Sequence, residues 1–180
     1  MKIGIYGGSF NPVHFGHVGL AKWVIEHTDL DELWLMVSPL NPLKAAGLSS
    51  NSENDLTSNF RQRLAAVREA IKDIPGLVAS DFEFSLPRPS YTANTLRALQ
   101  KTYPEHEFTL VIGEDNIAIF NQWREYEYIL ANFRIFVYPR KSAISSQPSA
   151  FRSAKDVVFL SEAPYFDISS TEIRQQKTSL

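Results

Sequence analysis

The chain has 180 residues, of which 44% are hydrophobic and 12% aromatic, enough for one domain with a sizeable core. Its net charge of −2 and its pI near 6.1 give no broad cationic face, which argues against nucleic acid or a membrane as a partner. The absence of cysteine excludes disulfides, thiolate catalysis and Cys-ligated zinc. With no long apolar run and no signal-peptide pattern, we expect a cytoplasmic protein with a single domain over residues 1–180.

The first part of the chain predicts a strand–helix–strand unit followed by a long loop. Residues 2–6 are a short β-branched run, residues 18–25 carry apolar side chains at helical spacing, and residues 33–37 form a second apolar run. The two strands should pair in parallel with a right-handed crossover. Residues 39–58 are rich in Pro, Ser and Asn with little periodicity, which predicts a loop of the kind that often carries function.

The rest of the chain continues to alternate helices with strands. Helices are predicted over residues 61–74, over 92–102 with a threonine cap, in a short stretch from 117 to 130, and from 168 onward. Strands are predicted over residues 77–79, 108–112, 133–138 and 157–160. This order predicts an α/β protein with a doubly wound, Rossmann-like parallel sheet, which binds its ligands beyond the carboxyl ends of the strands.

A first candidate site is the segment GGSFNPVHFGH, residues 7–17, between the first strand and the first helix. Glycines at such a turn let the backbone approach a phosphate, and the helix start adds free N–H groups and a positive end. His14 and His17 lie three residues apart, so both can face one site and donate hydrogen bonds to phosphate oxygens. A plain turn with two polar histidines is the alternative. Metal binding by the histidines is another, although no third ligand is evident.

A second candidate site is the segment ISSTEIR, residues 168–174. Ser169, Ser170 and Thr171 precede a helix whose N–H groups can bind an anion, and Arg174 adds a charge-assisted donor one turn further on. Taken alone, the segment is also explained by a capping box.

Together the two segments resemble the nucleotidylyltransferase superfamily. The first is similar to the HxGH signature in the form found in nicotinate mononucleotide adenylyltransferases, and the second to the signature I-S-S-T-x-I-R. Asn11 favours the pyridine-nucleotide branch, because cytidylyltransferases and phosphopantetheine adenylyltransferases typically carry Asp there. The resemblance covers nearly the whole chain and implies the nucleotidylyltransferase fold.

Elements in the middle of the chain resemble the bacterial members of this family. The S-Y-T-x-x-T-L segment at residues 90–96 is similar to one that helps bind the nicotinate end. The resemblance implies that Asp115, in a G-x-D element, faces a ribose and that Trp123 stacks on the pyridine ring. It also implies that Lys44 reaches the phosphates, although Leu43 stands where the family often has His. Read from the residues alone, Asp115 could cap a helix, Trp123 could be an ordinary helix residue, and Lys44 could be a solvated lysine.

The resemblance implies adenylyl transfer from ATP to nicotinate mononucleotide, giving nicotinate adenine dinucleotide and pyrophosphate in NAD biosynthesis. Mg²⁺ would accompany ATP, held mainly by phosphates and water, with no metal-ligating residue in the protein. The implied catalytic residues are His14, His17, Lys44 and Arg174. The implied ATP-binding residues are Gly8, Ser9, Phe10, His14, His17, Gly113, Ser169, Ser170, Thr171 and Arg174. The implied acceptor-binding residues are Lys44, Tyr91, Thr92, Asp115, Trp123 and Arg124.

Three alternatives stay open at this point. The acceptor could be nicotinamide mononucleotide or phosphopantetheine, although backbone N–H groups around Thr92 and Arg124 would favour the nicotinate carboxylate. The chain could also be a non-catalytic nucleotide-binding module, against which the intact histidines and Arg174 argue. Homo-oligomerisation is left open by the sequence.

Overall fold

The computed structural model describes residues 1–39, 53–140, 151, 154, 156–166 and 168–178, with the backbone alone at 53–58 and 177–178. Its strands are β1 Lys2–Gly8, β2 Glu32–Val37, β3 Leu77–Ser80, β4 Glu107–Gly113, β5 Arg134–Tyr138 and β6 Val157–Phe159. Its α-helices are α1 Phe15–His27, α2 Glu53–Ile71, α3 Thr92–Thr102, α4 Tyr126–Asn132 and α5 Ser170–Thr178. Two 3₁₀ segments span Phe82–Ser85 and Glu114–Gln122.

The six strands form one parallel sheet in the order β3-β2-β1-β4-β5-β6. The chain moves outward from β1 to β3, then returns to pair β4 with the other edge of β1, with Tyr6 opposite Val111. This reversal leaves a crevice at the carboxyl ends of β1 and β4, where doubly wound proteins bind ligands. The predicted doubly wound parallel sheet is confirmed.

The sheet is covered on both faces because alternate side chains of each buried strand point to opposite sides. On one face, Leu35 and Val111 pack with α1 and α2. On the other face, Ile5 and Leu110 pack with α3, α4 and the Glu114–Gln122 segment. The strands that carry the predicted site residues are therefore fixed from both sides, and their ends are held by a rigid core.

Three local predictions were wrong. Residues 53–58, predicted as loop, belong to α2, whose polar first turns lack apolar periodicity but carry the acidic residues that a helix start favours. Helix α3 has Tyr91 as its N-cap, and Thr92 already lies inside the helix. The predicted stretch 117–130 is two elements, because Glu125 has φ 55° and interrupts the helical path before α4.

Within the part of the chain that the structure describes, no helix has both the length and the apolar character needed to span a membrane.

Candidate active site

The turn after β1 is shaped by Phe10, a non-glycine residue with φ 44°. Its ring is 1% exposed and packs in the core beneath Gly8, where a Cβ atom would come within 3.0 Å of the ring. Glycine at position 8 therefore lets the backbone pass over the Phe10 ring. A left-handed conformation at a bulky residue is unfavourable by itself, so the surrounding packing must hold this turn in place.

His14 and His17 lie side by side at the start of α1, with ring centroids 3.7 Å apart and an interplanar angle of 29°. The backbone N–H of His14 donates to Nδ1 of His17 over 3.2 Å. Because a backbone N–H can only donate, Nδ1 of His17 carries no proton, and the neutral ring holds its proton on Nε2. His17 is thus oriented with Nε2–H as its donor, as the predicted phosphate contact requires.

Both imidazoles are held neutral. Burial lowers the pKa of His17 to about 3, with further lowering by the neighbouring His14 and by the Arg140 guanidinium. Burial also lowers the pKa of His14, again with a contribution from Arg140. The histidines of the free protein therefore offer hydrogen bonds without positive charge, and the cationic part of the site has to come from arginine or lysine side chains.

The neutral state of His17 is directly measurable. In the free protein we expect the His17 ring signals to show no titration between pH 5 and 8, because the pKa of about 3 lies below this range. A bound triphosphate should raise that pKa, since nearby anions favour imidazolium. Histidine NMR spectra, assigned by comparison with a His17→Asn variant, would test both points. A free-protein titration midpoint near the ordinary histidine value would contradict the burial argument.

The second motif forms the start of α5 as predicted. Ser169 and Glu172 make a capping box, in which the Ser169 backbone N–H donates to Glu172 Oε2 over 2.8 Å. The Glu172 N–H in turn donates to Ser169 Oγ over 3.2 Å. The capping box is compatible with the predicted anion binding by this segment. The cap fixes the helix start that carries the other polar residues of the motif.

The two motifs touch although they are about 150 residues apart in the sequence. Ser170 Oγ donates to the Pro12 carbonyl over 2.9 Å. Arg174 Nη1 donates to the Asn11 carbonyl, and its Nη2 donates to Thr171 Oγ1 over 3.1 Å. The start of α5 is thus joined by side-chain hydrogen bonds to the loop that precedes the two histidines.

The residue between the two histidines, Gly16, has no room for a side chain. A Cβ atom there would lie 2.9 Å from Ile168 Cγ2 and 3.1 Å from the His14 ring. Such contacts would force the segment before α5 away from α1. His14, His17 and Ile168 line a cleft together with Tyr138, the last residue of β5, and Arg140, two residues further on. The cleft therefore joins both motifs at the carboxyl side of the sheet.

Arg140 is a residue of this cleft that the sequence analysis did not single out. Its Nε lies 3.6 Å from Asp115 Oδ1, and its charge acts on both histidines. Asp115, just after β4, therefore stands beside a residue that lines this cleft. A signal was present in the sequence, since Pro139-Arg140 directly follows a predicted central strand, but only the sheet order shows that β5 ends beside β4.

Four of the predicted acceptor residues, Tyr91, Thr92, Trp123 and Arg124, are not among the residues that line the histidine cleft. The Arg124 guanidinium lies over the Tyr91 ring, 4.9 Å from its centroid, directly before Thr92 at the start of α3. Trp123 packs on Phe120, with ring centroids 4.8 Å apart. Among the described residues, no hydrogen bond, ion pair or ring contact joins this group to His14 or His17. Lys44 and Leu43 lie outside the described residues.

No group of three His, Asp or Glu residues able to hold a metal ion occurs in the described part of the chain.

A doubly wound sheet with HxGH and ISSTxIR motifs joined at its carboxyl edge defines a nucleotidylyltransferase-type protein. The cytidylyltransferase-like family model matches residues 5–176. The chain belongs to this family and, within it, to the nicotinate-nucleotide adenylyltransferases. The assignment within the family rests on curated relatives whose similarity extends over almost the whole chain.

Two such relatives are named as probable nicotinate-nucleotide adenylyltransferases. The one from Flavobacterium psychrophilum is 43% identical over 97% of this chain and 86% of its own. The one from Bacteroides thetaiotaomicron is 46% identical over 97% of this chain and 81% of its own. The structure also resembles Plasmodium falciparum nicotinic acid mononucleotide adenylyltransferase complexed with NaAD, with a TM-score of 0.69 and 18% identity over 97% of this chain and 82% of that one. At that identity the structural match speaks for the fold alone.

Proposed function

We propose that the chain transfers the adenylyl group of ATP to nicotinate mononucleotide, giving nicotinate adenine dinucleotide and pyrophosphate in NAD biosynthesis. The observation that carries this proposal is the contact between the two motifs, in which Arg174 and Ser170 hydrogen-bond the Asn11 and Pro12 carbonyls beside the histidines. This contact places Arg174 beside the loop that precedes the two neutral histidines, which supports a shared phosphate site. Close relatives named for the same reaction agree with the proposal.

The chemistry is an in-line displacement at phosphorus. A phosphate oxygen of the acceptor mononucleotide attacks the α-phosphorus of ATP, and the bond from that phosphorus to the α–β bridging oxygen breaks, so pyrophosphate leaves. The nucleophile is already an anion, so no general base is required. The protein contributes positioning and stabilisation of the charge that builds up on the phosphate oxygens and the leaving group.

The proposed ATP contacts come from both motifs and from the end of β4. His14 and His17 donate to phosphate oxygens, and Lys44 and Arg174 add positive charge. The remaining proposed ATP contacts are made by Gly8, Ser9, Phe10, Gly113, Ser169, Ser170 and Thr171. Mg²⁺ is proposed to enter with ATP and would be held mainly by phosphates and water, since it prefers hard oxygen ligands and keeps several waters. The proposed consumption of ATP also favours the cytoplasm as the protein's location.

The acceptor is proposed to bind on the α3 side of the sheet. Tyr91 and Thr92 lie at the start of α3, the Arg124 guanidinium covers the Tyr91 ring, and Trp123 directly precedes Arg124 in the chain. Asp115 stands beside Arg140, which lines the histidine cleft. The Arg124 guanidinium over Tyr91 places a cation beside an aromatic ring and near the backbone N–H groups of a helix start. This arrangement suits a flat heterocycle that carries a carboxylate.

The test is pyrophosphate release with Mg-ATP and, in parallel, nicotinate mononucleotide, nicotinamide mononucleotide or phosphopantetheine. We expect the highest kcat/KM with nicotinate mononucleotide. Preference for another acceptor would keep the chemistry and overturn the acceptor assignment. If none of the three supports turnover, the proposed adenylyl transfer to these acceptors is wrong.

A further inference from the structure

Arg63 is a buried cation of α2 whose guanidinium contacts the loops that follow β1 and β2. The residue is only 9% exposed. Nη1 donates to the Ser9 carbonyl over 2.6 Å and to the Ser38 carbonyl over 2.9 Å, and Nη2 donates to the Pro39 carbonyl over 3.4 Å. Nε donates to Asn59 Oδ1 over 2.7 Å, which fixes the guanidinium against its own helix.

All of these acceptors are uncharged oxygens. Burial lowers the pKa of Arg63, and no carboxylate of a described residue raises it. Arginine nevertheless stays protonated in proteins, so a full positive charge is buried here and is satisfied by main-chain dipoles. Burying a charge without an ionic partner is unfavourable for folding. Core packing alone would be served better by an apolar side chain.

The carbonyls that Arg63 contacts belong to the two loops at the carboxyl ends of β1 and β2. Ser9 is the residue before Phe10, whose φ of 44° shapes the turn of the first motif. Ser38 directly follows β2, and its backbone N–H donates to the Gly8 carbonyl over 2.9 Å. Arg63 and this backbone hydrogen bond therefore tie the two loops to each other and to α2.

We propose that Arg63 is a positioning residue for adenylyl transfer, whose guanidinium holds the carbonyls of Ser9 and Ser38 and so keeps the Phe10 turn in the conformation that receives the triphosphate. This inference rests on the proposed function. Arg63 touches no reacting atom in this arrangement and acts through the backbone of the turn. The unfavourable Phe10 conformation supplies the reason that such a restraint is needed, because without it the turn can relax to a negative φ.

The planar shape of the guanidinium matters to this role. Its nitrogen atoms donate in fixed, separate directions, which lets one side chain hold carbonyls from different loops and Asn59 at the same time. A lysine keeps the charge but offers a single nitrogen on a flexible stem. Arg63→Lys should therefore retain part of the wild-type kcat, and Arg63→Met should show the larger loss.

The experiment compares Arg63→Met and Arg63→Lys with Arg61→Met, an exposed arginine two residues earlier on the same helix. Steady-state pyrophosphate release is measured well below each variant's melting temperature, with both substrates varied. We expect Arg63→Met to lower kcat by about 10²-fold and to raise the KM for ATP, since small misplacements of the reacting groups have effects of this size. The KM for nicotinate mononucleotide and the kinetics of Arg61→Met should stay as in the wild type.

A second readout follows the turn itself. Amide hydrogen exchange of the peptide covering residues 8–13 should quicken in Arg63→Met while the β4 amides stay protected, and a non-hydrolysable ATP analogue should bind more weakly. Wild-type kcat and turn exchange in a folded Arg63→Met would overturn the inference, as would a lowered melting temperature with normal kinetics. Should Arg63→Met fail to fold, Arg63→Lys decides by the same measurements. An inactive wild type would count against the proposed function, and analogue binding and exchange would still judge the role of Arg63.

Discussion

Replacing His17 by asparagine is expected to lower kcat/KM for adenylyl transfer by about 10²- to 10³-fold, the effect of losing one hydrogen-bond donor to a developing negative charge. The asparagine side chain is short and keeps an acceptor where Nδ1 stands, so the backbone N–H of His14 retains its partner. What it cannot replace is the Nε2–H that the neutral ring directs away from the backbone. The measurement is steady-state pyrophosphate release with ATP and nicotinate mononucleotide.

Two further variants separate catalysis from folding. His17→Ala removes the acceptor as well as the donor, and should cost about 1 kcal/mol of stability that His17→Asn retains. The rate losses of the two variants should nevertheless be similar. His27→Asn, on the same helix but exposed, should leave kcat/KM unchanged. A His17→Asn variant with nearly wild-type kcat/KM would show that the Nε2–H does not act in the reaction.

Replacing Arg174 by methionine is expected to lower kcat/KM by about 10²-fold, with the loss shared between kcat and the KM for ATP. In the free protein Arg174 donates to the Asn11 carbonyl and to Thr171 Oγ1, at the junction of the two motifs. The side chain is part-exposed, so the guanidinium can also reach an anion entering from solvent. Lysine at this position should restore part of the rate because it keeps the charge but not the fork of donors.

The stability of the Arg174→Met variant should change little, because the Ser170 hydrogen bond to the Pro12 carbonyl still joins α5 to the first motif. Thermal denaturation checks this point, and Arg61→Met controls for the loss of one positive charge. Titration with a non-hydrolysable ATP analogue shows whether the loss lies in triphosphate binding. Equal analogue affinity and equal turnover in Arg174→Met and the wild type would remove Arg174 from the proposed site.

Much of the fold could be predicted from the sequence. Apolar runs and helical spacing are local properties, so the strands and helices of the doubly wound sheet were found, most of them within two residues of their ends. The failures have local causes too. The first turns of α2 carry few apolar residues, and the interruption at Glu125 depends on a single positive φ that no periodicity reports.

The candidate site was predicted unevenly. His14, His17 and Arg174 stand in motifs whose spacing is specific, and the structure brings the segments that carry them into contact. Arg140 and Arg63 were missed, because a lone arginine after a strand or inside a helix looks like a solvated residue. Their assignment needed the observation that one lies beside Asp115 and the other is buried against main-chain carbonyls.

By itself, the sequence determined a parallel α/β sheet, a glycine-rich turn before the first helix, a capped helix near residue 170 and the family. The tertiary structure alone decided which strand ends meet, and therefore that the Asn11 and Pro12 carbonyls receive hydrogen bonds from α5, that Arg140 stands by Asp115, and that Arg63 ties two loops together. The physical reason is the sequence separation over which each kind of interaction acts. Periodicity and capping act over a few residues, whereas these contacts join residues between 25 and 163 positions apart, and only the order of strands in the sheet brings them together.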